Sequence, residues 1–172
     1  MSTSEQPPWH AAYPKPVSEA VFLPRSTVLE WFSSEDKLPG KHFVLVDLRR
    51  NDHEGGTIKT SINLPAQSMH PSIPTLYTLF SSAGVAAVVF YCGTSCAPDP
   101  RTCKVGLTKE TGSSQGRGSR AASWMQDYIN EKGDNNMKSF ALEGGIKGWV
   151  KEGGNLLEMV DGYEEEAWKK FV

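Results

Sequence analysis

Cysteine is scarce in this chain of 172 residues, which contains three. An odd and small number argues against a disulfide framework, so each thiol has to be interpreted from its surroundings. The chain also lacks an apolar run close to the ~20 residues that a membrane-spanning helix requires. Its N-terminus lacks the cationic start and apolar stretch of a secretory signal. We therefore expect a soluble protein of the cytosol or the nucleus, with no membrane partner.

An excess of charge is missing as well, since 18 Lys and Arg residues face 20 Asp and Glu residues. A net charge of -2 gives no general attraction to nucleic acid or to anionic lipid. We therefore expect no nucleic-acid partner, and an anion site must be local. The four histidines have no metal-ligand spacing relative to the cysteines, and we expect no metal and no cofactor.

What the chain does have is enough apolar sequence for one packed core. Hydrophobic residues make up 38%, and the length fits one domain better than two. Residues 1–23 are rich in Pro, Ser and Ala without periodicity, which predicts an N-terminal arm. We expect a single domain over 24–154 and a C-terminal tail over 155–172 that packs on it through its apolar residues.

Strands and helices alternate within the predicted domain. Continuous apolar runs predict buried strands over 42–47 and 85–91, and a shorter strand is predicted over 139–142. Helical spacing of apolar residues predicts a helix over 71–82 and another one capped by Ser119. This alternation predicts an α/β domain with a mostly parallel central sheet and helices on both faces.

Cys92 directly follows the most apolar of these strands. The carboxyl end of a central parallel strand, where a loop leads into a helix, is the usual ligand site of open α/β sheets. Arg117 and Arg120 stand at the start of the next helix, and a guanidinium beside a helix N-terminus favours a thiolate and holds oxyanions. The pattern predicts a nucleophile at Cys92, against the alternative of a small core residue that ends a strand.

The segment between Cys92 and this helix is much longer than the usual connection of 2–6 residues. Removal of nineteen residues, 94–112, joins the flanking sequence into C-G-S-S-Q-G-R, a Cys-x5-Arg loop. This restoration indicates an insertion. We hypothesise that it is translated intron sequence or a gene-model error, because a Gly codon can carry the GT of a splice donor. Val105 and Leu107 are almost the only apolar residues of this segment, so we expect it to be poorly ordered. We also expect its two ends to meet, so that Cys92 and Arg117 still approach each other.

Several motifs resemble the rhodanese-like domain in their order along the chain. They are VDLR at 46–49, GTIKTSINLP at 56–65, the strand that ends in Cys92, and LEGGIKGW at 142–149. The resemblance covers roughly 24–154 and implies the α/β fold predicted above. In this family a six-residue loop after the cysteine suits sulfur transfer. A seven-residue Cys-x5-Arg loop suits the dual-specificity phosphatases that activate cyclin-dependent kinases and the related arsenate reductases, and the restored loop is similar to these.

The resemblance implies in-line attack of a Cys92 thiolate on a phosphoryl or arsenate centre, with Arg117 stabilising the equatorial oxygens. The substrate would be a phosphorylated protein or a small oxyanion, and no cofactor or metal is required. The loop amides that would bind the oxyanion belong to Gly93, Ser113, Ser114, Gln115, Gly116 and Gly118.

Three further residues have supporting roles to consider. Asp47 and Glu143 are candidate acids or bases, as is the substrate itself, because the restored loop contains no carboxylate. The structural alternatives weigh more: Asp47 would cap N–H groups at the strand exit, Arg49 would be an ion-pair partner, and Glu143 would be a turn residue bonded to the Gly-Gly amides.

Two other functions stay open. A thiosulfate-type sulfurtransferase is the first alternative, and the second is a non-catalytic rhodanese-like binding module. The second gains support if the insertion is real, because nineteen extra residues would disperse the N–H groups that position the oxyanion. Cys96 and Cys103 are weaker nucleophile candidates, since both lie within the insertion and neither follows a strand.

Overall fold

The computed structural model describes residues 8–93 and 116–170. In chain order the elements are β1 (Val21–Leu23), α1 (Arg25–Ser33), β2 (Phe43–Asp47), β3 (Thr57–Ile58), β4 (Ile62–Asn63), α2 (Ala66–Ser82), β5 (Ala87–Tyr91), α3 (Arg117–Glu131), β6 (Lys138–Leu142), α4 (Gly145–Glu152), α5 (Asn155–Glu158), β7 (Val160–Asp161) and α6 (Glu165–Trp168). Within these ranges no helix is long and apolar enough to cross a membrane.

Five of the strands form one parallel sheet in the order β1-β6-β5-β2-β4. The most apolar run of the sequence, β5, lies at its centre, so the prediction of a central parallel strand is confirmed. The register pairs Asp47 of β2 with Tyr91 of β5. Because paired strands end side by side, the residues that follow β2 and β5 emerge next to each other at the carboxyl edge of the sheet.

The two faces of the sheet are covered by different helices. Alternate side chains of a strand point to opposite faces, and β2 and β5 are buried along their whole length. Val44, Val46, Val88 and Phe90 belong to a core shared with α2 and α3. On the other face the core is shared with α1, α4, α5 and Trp168, and it contains Phe43, Leu45, Ala87, Val89 and Tyr91. Helices on both faces are therefore confirmed.

Two helices begin earlier than the sequence pattern predicts. Helix α2 starts at Ala66 and includes Pro71, which the prediction of 71–82 placed at its first position. A proline has no N–H to donate to the residue four positions earlier, which here is Gln67. The Tyr13 hydroxyl donates a hydrogen bond of 3.4 Å to that carbonyl instead. Helix α3 starts at Arg117, and its N-cap is Gly116 rather than Ser119.

The arm and the tail both contact the sheet domain. Residues 8–20 run over α2 and α3, where Trp124 Nε1 donates 2.8 Å to the carbonyl of Pro14. The end of the arm, predicted over 1–23, forms β1 and pairs with β6 at the sheet edge. In the tail, β7 pairs with β3, and Trp168 Nε1 donates 2.7 Å to the carbonyl of Gly55.

Candidate active site

Cys92 is held between the central strand and the start of α4. It follows β5 and is 3% exposed. Its carbonyl accepts a 3.0 Å hydrogen bond from the N–H of Ile146, and the carbonyl of Gly93 accepts one of 3.0 Å from the N–H of Lys147. These donors belong to the first turn of α4, whose N–H groups have no partner within the helix. The first turn of α4 therefore fixes the backbone on which Cys92 stands.

The Glu143-Gly144-Gly145 turn brings α4 to this position. Gly144 and Gly145 have φ of 72° and 57°, a conformation that glycine adopts without strain. A Cβ atom on Gly144 would lie 2.5 Å from Nη1 of Arg25, which donates 2.9 Å to the carbonyl of Glu143. Glu143 is exposed and takes part in these contacts through its main chain. Glu143 is thus a turn residue, but the hydrogen bond seen here joins its carbonyl to Arg25 and not its side chain to the Gly-Gly amides.

Arg117 is the first residue of α3 and lies close to Cys92. Its side chain is hydrogen-bonded to Asp52. The Asp52 hydrogen bonds hold the pKa of Arg117 above its usual value, burial opposes them, and the neighbouring Cys92 adds to the rise. The structure thus brings together the two residues that the Cys-x5-Arg interpretation places in contact.

Asp52 is the site residue that the sequence interpretation missed. Its Oδ1 accepts 2.9 Å from Nη1 of Arg117, and Oδ2 accepts from Nη2. Arg117 lowers the pKa of Asp52 well below its usual range, chiefly through these side-chain hydrogen bonds. The available signal was the polar turn that follows β2, because β2 neighbours β5 and both end at the same edge of the sheet.

Asp47 and Arg49 form a buried ion pair beneath this turn. Their side chains are 0% and 1% exposed, and Nη2 of Arg49 lies 2.6 Å from Oδ2 of Asp47. Arg49 also donates 3.0 Å to the carbonyl of Glu54 and 2.6 Å to that of Gly56. Asp47 accepts the main-chain N–H of Arg49 at 3.1 Å. The pair organises residues 49–56, named here the Arg49 turn, and both residues fit the structural alternative.

A cavity of about 300 Å³ opens at this edge of the sheet. Three of its walls carry cations, namely Arg117 on α3, Lys147 on α4 and Lys170 after α6. Lys170 is paired with Glu54 at 2.7 Å. The remaining lining comes from Arg49, Asn51, Asp52, Glu54, Gly93, Ile146 and Trp168. The surplus of positive groups suits the cavity to an anion.

Some predicted site residues lie in the described part of the chain and others do not. Gly93 lines the cavity, Gly116 caps α3, and Gly118 is buried in the first turn of that helix. Outside the described residues lie the predicted insertion 94–112 with Cys96 and Cys103, and the loop residues Ser113, Ser114 and Gln115. Within the described ranges no group of three or more His, Cys, Asp or Glu side chains could hold a metal ion.

No family model matches the chain, and a search of curated proteins also finds no match. Solved structures do match. Ygr203w, a yeast protein tyrosine phosphatase of the rhodanese family, has 18% identity and a TM-score of 0.64 over 89% of this chain and 99% of that one. A second matching structure is that of Saccharomyces cerevisiae Ygr203w, a homolog of single-domain rhodanese and of the Cdc25 phosphatase catalytic domain. That structure has 17% identity and a TM-score of 0.56 over 89% of this chain and 94% of that one.

The As-Sb reductase of Leishmania major has 20% identity and a TM-score of 0.58, over 79% of this chain and 80% of that chain. At such identities the likeness shows the fold. The chain has the rhodanese-like fold, as its motifs predict.

Proposed function

We propose that this protein is a cysteine-dependent phosphatase or arsenate reductase that acts on a tetrahedral oxyanion. The observation that carries the proposal is the placement of Arg117 beside Cys92 at the carboxyl edge of the sheet, where Arg117 and Gly93 line the same cavity. A nucleophilic thiol and a guanidinium are the two side chains that this chemistry needs, and a cation-rich cavity adjoins them. The similar structures include a protein tyrosine phosphatase and an As-Sb reductase, which support the same class.

The reaction begins with in-line attack of the Cys92 thiolate on the phosphorus or arsenic atom. The leaving oxygen departs on the opposite side, and Arg117 stabilises the charge on the equatorial oxygens. Water then hydrolyses the covalent thiophosphate. With arsenate, attack releases water, and an external thiol takes the place of water in the second step, so that arsenite leaves and a mixed disulfide remains on Cys92.

Backbone N–H groups complete the binding of the oxyanion in this proposal. Helix α3 is fifteen residues long and begins at Arg117, so the positive end of its dipole faces the Cys92 side. Gly93, Gly116 and Gly118 would contribute amides, together with Ser113, Ser114 and Gln115.

The carboxylates first considered as general acids are poorly placed. Asp47 is enclosed by Arg49, and Glu143 is not among the residues that line the cavity. We therefore propose substrates that do not depend on a carboxylic acid of the protein. An aryl phosphate of the phosphotyrosine type has a leaving group more acidic than an alkyl alcohol, and arsenate carries protons of its own that can leave with the departing oxygen as water.

The test measures hydrolysis of p-nitrophenyl phosphate and thiol-dependent arsenate reduction with the full chain. Cys92→Ser should abolish turnover, and Arg117→Lys should lower kcat/KM by about 100-fold or more, since lysine cannot bind an oxyanion with two parallel N–H groups. Cys103→Ser is the matched control and should retain activity. Activity that survives Cys92→Ser would overturn the proposal.

The same preparations separate the alternatives. Thiocyanate formation from thiosulfate and cyanide, without phosphate hydrolysis, would support a sulfurtransferase. An absence of all three activities would support the rhodanese-like binding module.

A further inference from the structure

The Arg49 turn, residues 49–56, is a hydrogen-bonded turn beside the cavity. Its interior is filled by the Arg49 guanidinium, which binds Asp47 and the carbonyls of Glu54 and Gly56. Asn63 Nδ2 on β4 donates 2.9 Å to the carbonyl of Arg49 and closes the base of the turn. A side chain on this turn is therefore positioned by the sheet.

Asp52 stands on that turn and points at Arg117. Its Oδ1 accepts a 3.1 Å hydrogen bond from the N–H of Arg50, which orients the carboxylate from its own turn. The same oxygen accepts from Nη1 of Arg117, and Oδ2 accepts from Nη2. The carboxylate thus meets the guanidinium end-on with both oxygens, a geometry that fixes the plane of the group as well as its position.

End-on pairing leaves part of Arg117 available. A guanidinium has five N–H donors, and the end-on pair uses one from each Nη atom. The Nε–H and the outer N–H groups remain for Cys92 and for an oxyanion. Asp52 Oδ2 lies 3.8 Å from the position that a Cβ atom on Gly93 would take, so the carboxylate also borders the start of the loop.

We propose that Asp52 is a positioning residue that holds the Arg117 guanidinium over Cys92 in the orientation that binds the oxyanion. The inference rests on the proposed function, because it assigns a role within the same site. Asp52 acts through Arg117 and needs no contact with the substrate. A carboxylate from the β2–β3 connection is thereby linked to a helix 65 residues further along the chain.

The pair is suited to a test by mutation because its loss should not unfold the protein. The Arg117 and Asp52 side chains are 26% and 47% exposed, and exposed ion pairs contribute little to stability. Stability and oxyanion binding can therefore be separated.

The experiment measures tungstate and arsenate binding by calorimetry in a Cys92→Ser background, which prevents turnover. We expect Asp52→Ala to weaken binding about tenfold and Asp52→Glu to restore part of the loss. In an Arg117→Gln background, Asp52→Ala should have no further effect, because the carboxylate acts through the guanidinium. Asp36→Asn, in the exposed turn after α1, is the control for loss of one surface carboxylate.

Unchanged or tighter oxyanion binding by Asp52→Ala would overturn the proposal. Tighter binding is the result expected if the Asp52 carboxylate only competes with the oxyanion for Arg117.

A second readout needs no ligand. Rotation of the Arg117 guanidinium, followed by its NMR resonances, should be slow in the native chain and fast in Asp52→Ala, and equal rotation in both would overturn the proposal. A native chain that binds neither oxyanion would refute the proposed function, while the NMR result would still decide whether Asp52 holds Arg117.

Discussion

Arg49 and Arg117 lie at the same edge of the sheet, but their side chains differ in burial, and this difference indicates different roles. Arg49 is 1% exposed and is hydrogen-bonded to one carboxylate and two carbonyls, so its guanidinium serves chiefly to hold the protein's own backbone. Arg117 is 26% exposed and is held end-on by Asp52. The buried guanidinium organises a turn, and the partly exposed one is the group that an oxyanion can reach.

Removal of one partner from the buried pair tests this division. Asp47→Asn leaves the Arg49 charge enclosed without its carboxylate, and we expect the free energy of unfolding to fall by about 3 kcal/mol or more. Glu152→Gln breaks the Arg25 pair, whose side chains are 24% and 49% exposed, and should cost less than about 1 kcal/mol. Urea denaturation compares the two, and equal costs would contradict the assignment of a structural role to Asp47.

Gly55 shows how one residue docks the C-terminal tail. Its φ is 76°, and an added Cβ atom would lie 2.8 Å from Cε2 of Trp168. Gly84 has a φ of 75° but open space around it, so Gly84→Ala reports backbone strain alone, about 1 kcal/mol. Gly55→Ala should cost clearly more in thermal denaturation, because it also displaces Trp168 from the cavity wall. Equal losses of thermal stability in Gly55→Ala and Gly84→Ala would show that the close approach of Trp168 to Gly55 adds nothing to the cost.

At the scale of elements, α3 joins the site to the N-terminal arm. Its first residue lies close to Cys92, and Trp124, two turns further along, donates a hydrogen bond to the carbonyl of Pro14 in the arm. Tyr13 stacks on His70 with ring centroids 4.6 Å apart, and both rings lie edge-on to Trp124. The cluster places a titratable ring between α2 and the arm, so docking of the arm should depend on pH.

The sign of this dependence follows from the direction of the shift. Burial lowers the pKa of His70 from 6.5, and burial together with Arg120 lowers that of His10. The folded state therefore favours neutral rings, so the stabilisation is complete above pH 6.5 and decreases as the pH falls below that value. We expect proteolysis of the arm to accelerate from about pH 7.5 to about pH 5. His70→Phe keeps the stacking and should reduce the acceleration, and an unchanged acceleration would exclude His70 as its source.

At the scale of the whole molecule, the sequence predicted what the apolar periodicity and the motifs determine. The run before Cys92 is apolar on both faces, which is typical of a buried central strand, and the motifs indicated the order of the elements around it. Asp52 was not predictable in this way, because its partner Arg117 is 65 residues away and a polar turn has no periodicity. The early start of α2 was missed because a proline such as Pro71 is typical of the first turn of a helix. In the structure Pro71 lies inside the helix, and the Gln67 carbonyl, to which Pro71 cannot donate, accepts a hydrogen bond from Tyr13 of the arm.

The topology also explains how a long segment can separate two residues of the proposed site. Since β5 precedes Cys92 and α3 packs against β5 and β6, the sheet holds Cys92 and Arg117 together whatever chain connects them. Deletion of 94–112 should therefore preserve the fold. The shorter connection should raise the free energy of unfolding by about 1 kcal/mol through loop-closure entropy.

Oxyanion binding tells whether those nineteen residues are a passive insertion. Their deletion leaves C-G-S-S-Q-G-R, in which five residues connect Cys92 to Arg117 and their N–H groups can converge on one anion. We expect this compact variant to bind tungstate more tightly and to hydrolyse p-nitrophenyl phosphate faster than the native chain. A variant with nineteen Gly and Ser residues in place of 94–112 keeps the length and should match the native chain. Loss of binding in both variants would mean that the native segment is a working part of the site, and sequencing genomic DNA and transcript across Gly93 would then show whether both encode it.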